Sequence, residues 1–375
     1  MNRALTLATE LIRISPTTPE PDLIAKAAAI LQRGGLVAFP TETVYGLGAD
    51  ALNPQAVQLI FAAKERPAND PLIVHIADVE QLAQVACNVP SLALELARCF
   101  WPGALTLILP KAEAVPPIVT AGGPTVAVRC PNHPVALSLI RAAGAPIAAP
   151  SANRFSHTSP TTAQHVLDDL AGRIDLILDG GPTAIGVEST VLDVTGAQPR
   201  ILRPGGVTAE ALAEAIGASA LASAPSTSPP SGDEETPTAA LLSPGLLDRH
   251  YAPHTPLWLF TQACLGDHAS LQQAMLTHAK TAQHNGGTVA FLLADEDLDA
   301  FANTGFRTLS IGSLQDLDRA AAHLFSTLRS LDTPEATLLL ARDFPARGLG
   351  LAIRDRLRRA ADRVIDVSTN KNQAE

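Results

Sequence analysis

The sequence is poor in the features that mark many functional classes. Only 4% of its residues are aromatic, so its cores must be built from Ala, Leu, Val and Ile. Its four cysteines, Cys87, Cys99, Cys130 and Cys264, form no CxxC pair and do not cluster with histidines. That argues against a disulfide framework or a zinc site and leaves buried, reduced thiols as the expectation. Basic charge is short too: the formal net charge is −10, the wrong sign for a coat along a phosphate backbone, though compatible with a local cationic pocket for one nucleotide. No uninterrupted apolar run is long enough to cross a bilayer. The opening MNRALTLATELIRISP is broken by Thr6, Thr9 and Glu10, so it lacks the apolar centre of a secretory signal. A cytoplasmic protein is expected. Absent as well are a GxxxxGK[ST] loop, a GxSxG elbow and an HExxH pair, so any nucleotide chemistry here needs another design.

What is present points to two domains. The chain has 375 residues, 46% of them apolar, enough for two cores. Residues 218–240, ASALASAPSTSPPSGDEETPTAA, bury too little apolar surface to repay their ordering entropy and read as a linker. The predicted organisation is a catalytic domain over 1–217, a linker over 218–254 and a small domain over 255–375. In the first, short apolar runs at 35–39, 72–76, 105–109, 125–129, 147–149, 174–178 and 190–194 read as strands, and 54–64 as a helix with Val57, Ile60 and Phe61 on one face. The fold class is α/β: a large, mixed, twisted sheet with flanking helices. In the last, strand-like runs at 256–260, 288–293, 308–311 and 337–340 and a helical pattern over 313–331 predict a doubly wound, Rossmann-like domain. No GxGxxG opens a helix after its first strand, so it shows no dinucleotide fingerprint.

Four polar clusters sit at the ends of apolar strands. Pro40-Thr41-Glu42-Thr43-Val44-Tyr45-Gly46-Leu47-Gly48 follows the first apolar run; it reads as a pocket floor or as an ordinary capped turn. Lys64-Glu65-Arg66-Pro67, leading to Asp70-Pro71, is a local positive pair in an acidic chain, suited to phosphate or to a solvated helix end. His75 lies inside the next strand, as a structural histidine or a contact residue. Ala149-Pro150-Ser151-Ala152-Asn153, continuing to Ser159, offers two side chains to one ligand or forms a cap. Gly186-Val187-Glu188-Ser189-Thr190 and Arg203-Pro204-Gly205 complete the set, with Arg129 as an anchor for a small carboxylate.

Each cluster is weak alone. In combination and order, the segments PTETVYGLG, KxRP, PLIVH, Trp101-Pro102-Gly103, APSAN and GVEST resemble the YrdC-like threonylcarbamoyl-AMP synthases. Ser243-Pro244-Gly245 and Arg249-His250-Tyr251-Ala252-Pro253 resemble the connector of the longer, two-domain form. The resemblance is specific over about 20–206 and 243–253 and loose in the last hundred or so residues.

The resemblance implies an enzyme that joins L-threonine, bicarbonate and ATP into threonylcarbamoyl-AMP and pyrophosphate, for N6-threonylcarbamoyladenosine in tRNA. Thr43, His75, Arg129, Ala149 and Ser189 would surround threonine. Lys64, Arg66, Ser151 and Asn153 would be the catalytic group. Asp70, Thr125, Ser159, Arg203 and Tyr251 would join Arg66 and Ser151 on ATP, with Mg²⁺ bridging its phosphates; no protein ligand for the metal is identified. Arg66 is expected at the surface of a cleft, and 218–254 as a lid that carries Tyr251 to the nucleotide. Two positions depart from the family pattern: Asp70, where Asn is usual, and Ser156, where Gly is usual. Downstream partners would be the proteins that transfer the threonylcarbamoyl group to tRNA; neither a membrane nor stable nucleic-acid binding is expected. Two rival readings are a plain RNA-binding module, disfavoured by charge and by scarce lysines and aromatics, and a hydrogenase-maturation carbamoyltransferase, disfavoured by the missing CxxC pairs.

Overall fold

A computed structural model describes residues 8–217, 249–262 and 268–368. Cys264 and most of the predicted linker, 218–248, lie outside the described residues. The chain forms two compact units. The first holds ten strands: β1 (Glu10–Arg13), β2 (Val37–Phe39), β3 (Gly46–Asp50), β4 (Ile73–His75), β5 (Leu105–Pro110), β6 (Thr125–Arg129), β7 (Ile147–Ala148), β8 (Leu176–Asp179), β9 (Thr190–Asp193) and β10 (Arg200–Arg203). They form one mixed sheet in the order β1-β8-β2-β3-β7-β4-β6-β5-β9-β10.

The strands are short and apolar because helices cover both faces. Val37 and Phe39 pack with Ala27, Leu31, Leu139 and Ile140, whereas Ala38 between them packs with Leu47, Val57 and Ile60. The strand Gly46–Asp50 was not foreseen, since two glycines in five residues read as a loop. Its Gly48 is required by the neighbours: a Cβ there would stand 2.8 Å from both the Phe39 ring and Ile147. The polar strands β1 and β10 also escaped a reading based on apolar runs. Of the thiols, Cys130 is buried but Cys87 and Cys99 are exposed, a correction to the expectation. Cys99 lies off the buried stripe of its helix, which is Ala93, Leu96 and Ala97.

The second unit has five parallel strands, β11 (Leu257–Thr261), β12 (Val289–Leu293), β13 (Arg307–Ser310), β14 (Leu338–Arg342) and β15 (Arg363–Asp366), in the order β13-β12-β14-β11-β15. Phe291 and Leu293 pack with Leu271, Met275 and Ala279 of the helix His268–His284, while the intervening Ala290 and Leu292 are equally buried on the other face. This is the doubly wound pattern. The helix predicted over 313–331 spans Leu317–Leu331, because Asp316 caps it by accepting from the Arg319 amide at 3.1 Å.

The two units are interleaved in sequence. Residues 156–159 and 185–187 belong to the second, not to the predicted 1–217 domain. Within that unit the Ala252 amide donates to Ser156 O at 2.8 Å, the His157 and His254 rings meet at 4.4 Å, and Arg329 donates to Thr158 O. The connector's described end therefore packs on the second unit. Tyr251 is 1% exposed there, stacked on Phe325 at 5.7 Å with the Arg356 guanidinium 4.9 Å from its ring.

Gly205 is fixed by close backbone approach, since a Cβ there would lie 2.3 Å from Glu188 O and 2.4 Å from the Ser189 carbonyl carbon. Backbone cannot yield as a side chain does. Gly205→Ala is expected to destabilise the protein by about 2–3 kcal/mol in urea unfolding; a loss below about 0.5 kcal/mol would refute this packing.

Candidate active site

Five adjacent strands present one row of polar groups. His75 ends β4 and Arg129 ends β6, and the two are register partners. On the other side of Arg129, Thr106 of β5 is its antiparallel partner. Thr106 Oγ1 lies 2.7 Å from Ser189 Oγ, directly before β9. Ala149 follows β7, and its amide donates to Ile73 O at 2.9 Å. Thr43 joins through the loop after β2, which Thr41 fixes by donating to Val44 O at 2.7 Å and accepting from the Thr43 amide at 3.2 Å. All five residues expected around threonine are thus brought together, and all are buried. Thr106 was missed, although a lone hydroxyl in an apolar strand is a usable signal.

Arg129 organises this group. Its Nη1 donates to Thr43 Oγ1 at 2.9 Å, its Nε donates to Gly103 O at 3.2 Å, and its Nη2 lies 2.6 Å from Glu42 Oε1. Glu42, assigned no role from sequence, is therefore part of the site. Burial, with the neighbouring Arg129 charge, pushes the His75 pKa down to about 3, so this ring is neutral.

The second group surrounds the end of the helix Pro54–Lys64. Asn53 caps its start, and Glu65 ends it in the left-handed conformation at φ 58°, which turns Arg66 back into the protein. Lys64 is 1% exposed, and its Nζ donates to both Ser151 O and Asn153 O. Burial and the Arg66 charge hold the Lys64 pKa well below the ordinary lysine range. Arg66 is not at a cleft surface, contrary to expectation: Nη2 pairs with Asp70 at 2.8 Å and donates to Pro71 O at 2.8 Å, with side chains 3% and 0% exposed. Burial raises the Asp70 pKa, and the charges of Arg66, Lys64 and Arg203 oppose that rise. Arg203 reaches the threonine group as well, donating through Nη2 to Ser189 O at 2.9 Å.

Thr125 begins β6 and so stands at the opposite strand end from Arg129, about 13 Å away; the register Ile73↔Ala127 sets it beside Pro71. Ser159 and Tyr251 belong to the second unit. Ser156 holds φ 64°, so the loop keeps a left-handed backbone without glycine, at a cost of about 1 kcal/mol or more. Among the described residues, no group of three or more His, Cys, Asp or Glu side chains is placed to hold a metal ion.

The sequence matches two domain families in tandem. A family described as telomere recombination, Sua5/YciO/YrdC, matches residues 29–205, and the threonylcarbamoyl-AMP synthase C-terminal domain matches residues 207–362. The threonylcarbamoyl-AMP synthase of Bacillus subtilis is 46% identical over 92% of this chain and 94% of its own. The chain belongs to the threonylcarbamoyl-AMP synthase family. A putative synthase of Mycobacterium tuberculosis is shorter: 39% identity covers 90% of it but 52% of this chain. The crystal structure of Pyrococcus abyssi Sua5 complexed with L-threonine superposes with a TM-score of 0.84 at 40% identity, over 96% of this chain and 99% of that one. The family's two-domain architecture, expected from the connector motif, is the architecture of this chain.

Two outcomes follow from the buried charges. Arg66→Ala strands the Asp70 carboxylate in the interior, so a loss of about 3 kcal/mol is expected in denaturant unfolding, partly restored in Arg66→Ala/Asp70→Asn; an unaffected single variant would contradict the pair. For His75 the unfolded chain takes a proton near pH 6.5 and the folded chain only near pH 3. The unfolded state therefore binds more protons between those values, and stability falls as pH is lowered through that window. Replacing His75 by Gln should make the slope of unfolding free energy against pH shallower by up to one proton; an identical slope would show that His75 does not set it.

Proposed function

We propose that this chain makes L-threonylcarbamoyl-AMP and pyrophosphate from L-threonine, bicarbonate and ATP, feeding N6-threonylcarbamoyladenosine synthesis in tRNA. The observation that supports this best is the contiguity of the two groups. Arg203 hydrogen-bonds to Ser189 of the threonine row while its charge acts on Asp70 beside Lys64 and Arg66. An amino-acid site and a cationic site are thereby joined in one unit. The threonine row takes the amino acid, with Arg129 on its carboxylate. Lys64, Arg66, Ser151, Asn153, Thr125 and Arg203 serve the nucleotide.

In this reading the threonine amine and bicarbonate condense to a carbamate with loss of water. A carbamate oxygen attacks the α-phosphorus, and pyrophosphate leaves. No covalent enzyme intermediate is needed. The protein positions the reactants and holds positive charge against the phosphates. ATP would enter as its Mg²⁺ complex, the ion offsetting phosphate charge. Asp70 Oδ2 is paired with Arg66 Nη2 at 2.8 Å. The same proposal has the protein acting in the cytoplasm and tRNA threonylcarbamoyl-transfer proteins taking the product. The competing RNA-binding reading gains no support from any of these observations.

The test is pyrophosphate release with each substrate omitted in turn. Release should require threonine, bicarbonate and MgATP together. Equal release without an amino acid, or with serine or alanine in place of threonine, would refute the assignment of the pocket.

A further inference from the structure

The proposed reaction gives Arg129 a task and leaves Glu42 without one. Glu42 lies in the loop between β2 and β3, buried at 9% exposure. Its Oε1 is 2.6 Å from Arg129 Nη2, yet the contact lies off the hydrogen-bond line. Both Glu42 oxygens and Arg129 Nη2 are buried without a hydrogen-bond partner, and so is Nδ1 of the adjacent His75. Arg129 Nε and Nη1 are already used on Gly103 O and Thr43 Oγ1. One donor nitrogen and two carboxylate oxygens thus remain to be satisfied at one spot, in a protein interior where such groups are almost always paired.

A ligand carboxylate alone satisfies only the donor. It also sets a second negative charge beside Glu42 with Arg129 as the only cation that the pair offers, and buried uncompensated charge is costly. A zwitterion fits both members: its carboxylate goes to Arg129, its ammonium donates to Glu42, and no net charge enters the site. We propose that Glu42 receives the α-ammonium of the amino-acid substrate and makes the site select α-amino acids over hydroxy acids of the same shape. This rests on the amino-acid site proposed above and adds to it a binding residue for the nitrogen that becomes the carbamate nitrogen.

The test is isothermal titration in bicarbonate-free buffer, with and without MgATP. The titrants are L-threonine and its α-hydroxy analogue, in which a hydroxyl replaces the ammonium. Wild-type protein should prefer threonine by about 30-fold or more, as expected for a buried charge pair. Glu42→Gln should lose most of its threonine affinity and bind the two ligands within about threefold of each other. Glu42→Asp, which keeps the charge on a shorter arm, should show an intermediate preference. Circular dichroism and thermal unfolding establish that each variant is folded. The inference is overturned if wild-type protein binds both ligands equally, or if folded Glu42→Gln keeps the full preference. Should Glu42→Gln not fold, an unchanged preference in Glu42→Asp overturns it. Binding of neither ligand to wild-type protein removes the amino-acid site itself, and the inference with it, which separates that failure from a failure of Glu42 alone.

Discussion

A guanidinium in a protein interior must find acceptors for its donors, and Arg129 at the end of β6 imposes that demand on everything around it. It is 4% exposed. A carbonyl from the Trp101-Pro102-Gly103 turn and a hydroxyl from the loop after β2 accept from two of its nitrogens, and the Glu42 carboxylate of the same loop lies against the third. Segments about 25 and 85 residues away in sequence are therefore fastened to one point at a strand end. The apolar sheet below supplies the rigidity. The residues that converge on Arg129 come from separate strands and loops, so one side chain ties them together.

The cationic group obeys a different rule. Lys64, Arg66 and Arg203 act together on one buried carboxylate, Asp70, and Lys64 is further restrained by two backbone carbonyls. The protein's own groups thus hold the cluster in place. Asp70 strengthens that restraint by pairing with Arg66 at 2.8 Å.

The sequence was legible where local chemistry and burial agree. Thr125–Arg129 and the helix Pro54–Lys64 were read with their observed limits, the helix because Val57, Ile60 and Phe61 mark one face. Agreement failed where distant contacts decide. Lys-Glu-Arg-Pro looks like a solvated helix end, and only the fold shows that Glu65 turns Arg66 inward onto Asp70. Gly46–Asp50 looks like a loop until Phe39 and Ile147 are seen to demand a residue without a side chain at Gly48. Glu42 was visible as a residue type but not as a partner, because its partner lies 87 residues further along the chain.

The interleaving of the two units bears on how such chains gain or lose a domain. A shorter relative spans little more than half of this chain, which invites the picture of a second domain simply appended to a first. Here residues 156–159 and 185–187 pack with the second unit, and Ser156 keeps its left-handed backbone while its carbonyl accepts from Ala252. A gene cut after Gly217 would leave Ser156 O without the Ala252 amide that now donates to it, so no single cut in the chain separates the two units whole.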